Sequence, residues 1–403
     1  MSLQAFSKKV FKGISKRISN PINKMLIKRW QKKPIDDSLI VFESEGDMSD
    51  NSYALYNYLR NNGYLKKYKA VWLVDDINKY RNCSFGNTEF FKKFPYKTEP
   101  KRAKYLGTCK YYIYDHCNML RDAEKRDGQK IIYLSHGGIL KKAKAKALDF
   151  WNNDEFYITG ESFVKGMQDW TDAKAEQIID IGFPRLDYFF SPVSSGASEY
   201  AGKLRLKDYR CVILWMPTYR QSTNEDLSED YNSTETGLPF LGSLETVEEF
   251  NSWLSGKNAL CIMKIHHLQK KLDIFDKKFS NIVFLSDTDL SDNGVQLYEI
   301  IGLTDALITD WSSVAFDYML LDKPILFTMD DISDYTRSRG FVCDPTPLFV
   351  GYQCVSRDSF YGALEDVLSG RDAYREARNK LLPSVHTHTD GFASKRIAER
   401  LGL

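Results

Sequence analysis

The chain lacks several features, and each absence narrows its class. Its 403 residues contain no run of 18 apolar residues free of charge, so no membrane-spanning helix is expected. No apolar core of the signal-peptide kind stands at the N-terminus. Cysteine is scarce and odd in number: seven, widely spaced at Cys83, Cys109, Cys117, Cys211, Cys261, Cys343 and Cys354, with no C-x-x-C. That excludes a disulfide scaffold, argues against a Cys-based zinc site and predicts reduced, mostly buried thiols in a cytoplasmic protein. Neither G-x-G-x-x-G nor G-x-x-x-x-G-K-[ST] occurs, which argues against a dinucleotide-dependent dehydrogenase and a P-loop enzyme. Fixed-period repeats and low-complexity tracts are absent as well.

Apolar residues are plentiful, at 43%, and aromatics reach 14%. This is ample for packed cores and too rich for a disordered chain. The net charge of +2 hides an asymmetry. Residues 1–33 hold ten Lys/Arg and no acid, which leaves 46 basic against 54 acidic residues, a net of −8, in the remainder. Within that segment Leu3, Phe6, Val10, Ile14, Ile18, Ile22, Met25/Leu26 and Trp30 recur every three or four residues. On a helix they form one apolar stripe opposite a cationic face, the pattern of a segment lying on an anionic membrane surface. Asn20-Pro21 is expected to divide it. A basic helix packed on its own domain is the alternative. Nucleic acid is not an expected partner, because the acidic remainder lacks basic–aromatic interleaving.

After Pro34, short apolar runs alternate with amphipathic stretches. Residues 39–42, 70–74, 111–114, 131–134 and 156–159 read as buried strands. The small, polar segment 191–203 reads as a linker. The pattern restarts with strands at 211–215, 260–263, 282–285, 306–309 and 324–327, followed by helices at 360–382 and 393–401. Alternation of this kind predicts an α/β fold with parallel sheets. The expected organisation is a basic segment over 1–33, one Rossmann-like domain over 34–195 and a second over 196–403, with the ligand in the cleft between them.

Five motifs fall at the carboxyl ends of predicted strands. Thr309-Asp310-Trp311-Ser312-Ser313 ends a strand and opens a helix, whose first free amides with a serine cap suit a phosphate or pyrophosphate. Ser135-His136-Gly137-Gly138 places a histidine where catalytic loops emerge, with glycines that let a ligand approach the backbone. Lys141 and Lys142 follow. Lys264 and His266 share one side of an extended chain. Arg185 in Gly182-Phe183-Pro184-Arg185 and Arg220 in Pro217-Thr218-Tyr219-Arg220 are suited to bidentate phosphate contact, each also readable as a surface arginine on a turn. Asp287-Thr288-Asp289 has a spacing that some metal-dependent glycosyltransferases use. In a chain with 54 acids it is read as incidental.

In order and spacing these motifs resemble the CDP-glycerol glycerophosphotransferase family of teichoic-acid and capsule synthesis. The resemblance runs from about residue 40 to the C-terminus. It takes in Phe42-Glu43-Ser44, Ser49-Asp50-Asn51, Tyr56 and the motifs above, then Phe316-Asp317, Lys323-Pro324, Arg339-Gly340-Phe341, and Asp390-Gly391 with Ser394 and Arg396. The chain departs from the family's usual His-Gly-Thr-Pro-Leu-Lys at Gly138 and Ile139, and has Trp311 where Tyr is usual and His267 where Pro is usual. The resemblance implies a GT-B-like fold, a donor held mainly by the C-terminal domain, a terminal helix that crosses back, and peripheral attachment to the cytoplasmic face of the cell membrane.

The expected donor is CDP-glycerol or CDP-ribitol, and the expected acceptor is a lipid-linked saccharide or polymer. His136 is the expected general base, with His266 at the donor phosphates or leaving group. Lys264, Thr309, Asp310, Ser312, Ser313, Arg220 and Arg339 are the expected donor contacts, and Asp50, Asn51, Gly137, Gly138 and Arg185 the acceptor side. No cofactor or metal is expected. A GT-B glycosyltransferase using a nucleotide sugar and a non-catalytic membrane-bound scaffold are the rival readings.

Overall fold

The structure is a computed structural model that describes residues 20–95, 97–142, 150–218, 234–264, 272–338 and 340–403. Apolar runs in the sequence become strands buried on both faces. β1 (Asp36–Glu43) carries Leu-Ile-Val-Phe with every one of those side chains buried, as interior strands of parallel sheets require. The first sheet adds β2 (Lys69–Val74), β3 (Thr88–Lys92), β4 (Cys109–Tyr114), β5 (Lys130–Tyr133), β6 (Glu155–Ile158) and β7 (Ile178–Asp180) in the order β3-β2-β1-β4-β5-β6-β7, all parallel.

The second sheet holds β8 (Cys211–Met216), β9 (Ala259–Lys264), β10 (Ile282–Leu285), β11 (Ala306–Thr309), β12 (Ile325–Thr328) and β13 (Tyr352–Cys354) in the order β10-β9-β8-β11-β12-β13, again all parallel. Counted from its own first strand, each sheet begins 3-2-1-4-5-6. In that arrangement the chain reverses direction of travel between the first and fourth strands, and the crevice beyond their carboxyl ends is the ligand position. The α/β expectation with two Rossmann-like sheets is therefore met. β3, β7 and β13 escape the sequence reading because they are edge strands without a continuous apolar run.

Part of the predicted linker is a helix, Ser195–Lys203, whose first turn is capped by the Ser194 hydroxyl accepting from Ala197 N. The terminal helix Ala393–Leu401 packs on the first sheet rather than the second. Ile397 and Ala398 join the cluster of Ile40, Phe42 and Trp72, Tyr111 donates to Leu401 O, and Arg400 pairs with Glu155. Asp187 holds the start of this helix, accepting from Ala393 N and Ser394 N at 2.9 Å each.

The basic N-terminal segment divides differently from the expectation. Residues 1–19, and with them the upstream side of the break expected at Asn20-Pro21, lie outside the described residues. Residues 20–30 form a helix fastened to the first sheet's domain. Asn23 and Ile27 are buried and Trp30 is half-buried. Asn23 bonds Lys97 O and Glu99 N, and Lys24 pairs with Asp122 at 2.7 Å. The helix sits so close to Gly107 that a Cβ there would lie 2.6 Å from Trp30 Cβ. The single free apolar stripe read from the sequence is thus corrected for residues 20–33. Asn23, Ile27 and Trp30 face inward, while Ile22 and Met25 stay exposed.

Candidate active site

The two reversal points bring their loops together. On the first sheet, β1 and β4 end at Glu43 and Tyr114. Asp115, the next residue after β4, accepts from Glu45 N at 3.0 Å and Ser52 N at 2.8 Å, so it caps the helix Asp50–Asn61 from across the crevice. Burial, with Asp50 and Glu43 nearby, pushes the Asp115 carboxyl well above its usual range. Burial also raises Glu43 to about 7, against the opposing pull of Lys93, whose ammonium lies 2.8 Å away.

β5 delivers His136. Ser135 sits at φ +62° and Gly137 at φ +147°, a turn that throws the imidazole out of the strand. The ring is half-buried. Its Nδ1 lies 2.9 Å from the Tyr133 hydroxyl, and its ring is tilted against that of Trp170 with centroids 6.0 Å apart. Tyr133 is buried, which raises its pKa and keeps it a phenol, and its hydroxyl also meets the Ser135 side chain. The two glycines admit protein rather than ligand. A Cβ at Gly137 would fall 2.2 Å from Ser313 Oγ of the second domain, and one at Gly138 would fall 2.3 Å from the Phe163 ring.

Arg185 lies beneath this turn. The sequence suggests an acceptor-side or phosphate-binding arginine, yet its side chain is only 4% exposed. Nη1 donates to Asp50 Oδ1 at 2.7 Å and to His136 O at 3.0 Å, and Nη2 donates to Asp317 Oδ2 at 2.6 Å. The guanidinium lies over Tyr298, 4.7 Å from the ring centroid, and the Tyr298 hydroxyl donates to Asp317 as well. Burial works against this cation, and Asp50 and Asp317 outweigh it, so its pKa rises further. Asn51 completes the clamp. Its Nδ2 donates to Ser135 O at 2.8 Å and its Oδ1 accepts from Arg185 N at 3.1 Å. Asp50, Asn51 and Arg185 therefore hold the histidine turn against the second domain, with Asn51 and Arg185 fully enclosed.

On the second sheet, β8 and β11 end together. Asp310 is buried, and its two oxygens accept from Thr218 N at 2.8 Å and Thr218 Oγ1 at 2.6 Å, while Thr309 Oγ1 donates to Met216 O. Asp310 therefore shapes the Pro217-Thr218 turn instead of meeting a phosphate, whose charge it would repel. Ser312 and Ser313 are half-buried. Ser313 occupies the cap position of the helix Val314–Tyr318 but makes no side-chain capping bond, unlike the serine cap expected. The helix is one turn long and passes directly into a 3₁₀ turn, Met319–Leu321. The turn thus offers two serine hydroxyls and backbone amides rather than a long macrodipole.

Loop residues cross from the first domain to meet this turn. Lys141 forms an antiparallel bridge with Phe341, Lys142 N donates to Gly340 O and Val342 N donates to Leu140 O. The Lys141 ammonium reaches Thr218 Oγ1 at 3.5 Å and lies over the Tyr335 ring. At the end of β9, buried Lys264 pairs with Asp287 at 3.0 Å. Asp289 of the same triplet is occupied in capping, accepting from Ser286 N and Oγ. Among the described residues, no group of three or more His, Cys, Asp and Glu is arranged to hold a metal ion. His266, Arg220 and Arg339 lie outside the described residues.

Sequence reading missed Asp317 and Tyr298 as site-forming groups. Asp317 had a signal of its own: a carboxylate in Val314-Ala315-Phe316-Asp317-Tyr318, a helix whose five side chains are all buried. An acid there needs a cation.

Comparison with known proteins fits this architecture. The teichoic acid glycerol-phosphate primase of Bacillus spizizenii is 27% identical over 244 residues, 60% of this chain and 57% of the primase. The Staphylococcus aureus teichoic acid ribitol-phosphate polymerase TarL is 24% identical over 382 residues, 90% of this chain and 62% of the polymerase. The chain thus spans less than two thirds of the length of these relatives. Among solved structures, the wall teichoic acid polymerase TagF superposes with a TM-score of 0.72 at 19% identity, covering 100% of this chain and 98% of that one. The UDP-GlcNAc 2-epimerase of Methanocaldococcus jannaschii superposes at 0.52 and 10% identity, covering 90% and 99%. At these identities the superpositions speak for the fold. The family model described as CDP-Glycerol:Poly(glycerophosphate) glycerophosphotransferase matches residues 25–402, both sheets and the crevice between them included, and the chain belongs to that family.

Proposed function

We propose that the protein transfers glycerol phosphate, or a related polyol phosphate, from a CDP-activated donor to a hydroxyl of a membrane-associated saccharide or polymer. The pathway is teichoic acid or capsule-like envelope polymer synthesis. One observation carries the reading: the His136-Gly137 turn of one sheet abuts Ser313 of the other at the meeting of the two reversal points. The matched family and its primase and polymerase relatives support the same chemistry, and a histidine variant of the TagF polymerase has been solved after soaking with CDPG.

In this reading the donor's pyrophosphate meets the Ser312 and Ser313 hydroxyls and the amides beside them, with Lys141 and Lys264 supplying positive charge. Arg220, Arg339 and His266 remain proposed donor contacts. The acceptor oxygen attacks the phosphorus bonded to the polyol, the P–O bond to CMP breaks, and CMP leaves with the electron pair. The hydroxyl proton passes to His136. The Ser135 hydroxyl donates to Gly137 O, and the reaction uses the His136 tautomer that carries its proton on Nδ1, toward the Tyr133 oxygen 2.9 Å away. This leaves Nε2 with the lone pair a general base needs. Positioning and charge supply the rest.

The membrane contact is part of the proposal, peripheral and at the cytoplasmic face, made by the basic segment. No helix among the described residues is long and apolar enough to cross a bilayer. The test is to incubate the protein with CDP-glycerol, CDP-ribitol and UDP-sugars plus lipid-linked acceptors and to weigh the products. A phosphodiester with CMP is expected. A glycoside with UDP would replace this reading with a glycosyltransferase. His136→Ala should lower turnover by about 10²–10⁴-fold while leaving donor affinity within a few-fold.

A further inference from the structure

A cavity of about 160 Å³ lies between the helix over residues 20–30 and the loops that follow β3 and β4. One water needs roughly 10–15 Å³ counted the same way, so there is room for a phosphate with its substituents. Its walls carry Lys24, Lys93, Arg102 and Arg121; Asp122, also in the wall, pairs with Lys24, and Glu43 behind it pairs with Lys93. Arg102 is only 5% exposed. Its Nη2 donates to Lys93 O at 2.9 Å, and its Nε has no partner. Burial holds its pKa below the ordinary value despite Glu99 nearby. A cation kept at that cost is undercompensated by the protein, and an anion in the cavity would complete it.

The rim is apolar where solvent would favour polar groups. Phe94, a wall residue, is 42% exposed, and Trp151, whose indole donates to Arg121 O at 2.7 Å, is 61% exposed. Met25 and Ile22, on the outer side of the same helix, are 62% and 36% exposed. Exposed aromatic and aliphatic side chains beside cations are the signature of a surface that sinks into the headgroup region of a bilayer. Residues 1–19, with five Lys/Arg and no acid, join the described structure at Asn20, itself a wall residue.

We infer that this cavity takes the phosphate of an anionic lipid headgroup while Phe94, Trp151, Met25 and Ile22 enter the bilayer interface. The inference deepens the membrane-surface part of the proposed function and rests on it. It fixes which face of the first domain lies on the membrane.

The test uses the full chain and sedimentation with phosphatidylcholine vesicles, with and without phosphatidylglycerol. Arg121→Glu alters an exposed wall residue, and Met25→Asp with Trp151→Asp alters two exposed side chains, so all should fold. Circular dichroism checks this. Binding that depends on phosphatidylglycerol should fall about tenfold or more in each. Equal vesicle binding by wild type and both variants overturns the inference, as does loss confined to a chain lacking residues 1–19. Soluble glycerol phosphate that binds as tightly as the vesicles, in a manner sensitive to Arg121→Glu, overturns the lipid assignment. CDP-glycerol titrated into the same variants without lipid reports on donor binding alone. Its failure would count against the transferase reading and leave the lipid site standing.

Discussion

Replacing Arg185 tests whether the crevice is held by one buried cation. Its guanidinium makes three charge-assisted or carbonyl hydrogen bonds, to Asp50, Asp317 and His136 O, and spans both domains. A charge-assisted bond contributes about 1.5–3 kcal/mol, and the contributions are not additive. Removing one member of a buried pair costs about 3–5 kcal/mol, because the partner charge is stranded. Arg185→Ala strands two carboxylates, so a loss of about 3–5 kcal/mol is expected, together with a fall in turnover as the His136 turn loses its anchor. Arg185→Lys keeps the charge, but a point ammonium lacks the planar fork that spans Asp50 and Asp317. It should recover part of the stability and little of the turnover. A double-mutant cycle with Asp317→Asn isolates the contact between domains, and denaturant unfolding with rate measurements on all four proteins reads it. Coupling of at least about 1.5 kcal/mol is expected within the range for such networks. A cost under about 1 kcal/mol for Arg185→Ala, with unchanged turnover, would refute the clamp.

Gly137→Ala places a Cβ 2.2 Å from Ser313 Oγ at φ +147°. It should abolish turnover, while Gly202→Ala, which meets nothing within 4 Å, should leave turnover and unfolding unchanged. Deleting residues 1–19 should weaken binding to anionic vesicles and preserve the melting temperature. Deleting 1–33 should also lower that temperature, because it removes the buried Asn23 and Ile27, and equal melting of the two truncations would contradict the packing of the helix. His386 is buried, its Nε2 lies 2.9 Å from Phe316 O, and desolvation lowers its pKa. Below the unfolded value of roughly 6.5 the unfolded chain takes the proton and the folded one resists it, so stability is full above that pH and declines as pH falls. The melting-temperature difference between wild type and His386→Gln should shrink toward pH 5, and a difference constant from pH 8 to pH 5 would exclude His386 as a source of acid lability.

The interior strands were legible because a strand buried on both faces must be a continuous apolar run, and Leu39–Phe42 or Ala306–Thr309 can be little else. Edge strands such as Thr-Glu-Phe-Phe-Lys at 88–92 have one solvated side, and their mixed composition resembles a loop. Strand-end motifs were legible as positions. Their contacts were not, since sequence separation conceals which charged groups meet: Arg185 and Asp317 are 132 residues apart. The same blindness affected the glycines. A His-Gly-Gly run announces that something comes close to the backbone, but only the fold shows that it is Ser313 and Phe163. The N-terminal stripe misled for residues 20–33 because a helix with apolar groups on two sides gives a periodicity that can be fitted to either side.

The return of the last helix to the first sheet has a consequence for how the protein is made. Ile397 and Ala398 cover strands whose own residues begin at Asp36. On the ribosome the first sheet is complete at Asp180, some 200 residues before its cover is translated. At about 5–20 residues per second the interval is roughly 10–40 s. Throughout it Ile40, Phe42 and Trp72 lack part of their packing and Asp187 has no helix to cap. The first domain is therefore the last to finish, and a nascent chain stalled before Ala393 should be the form that chaperones hold and proteases cut.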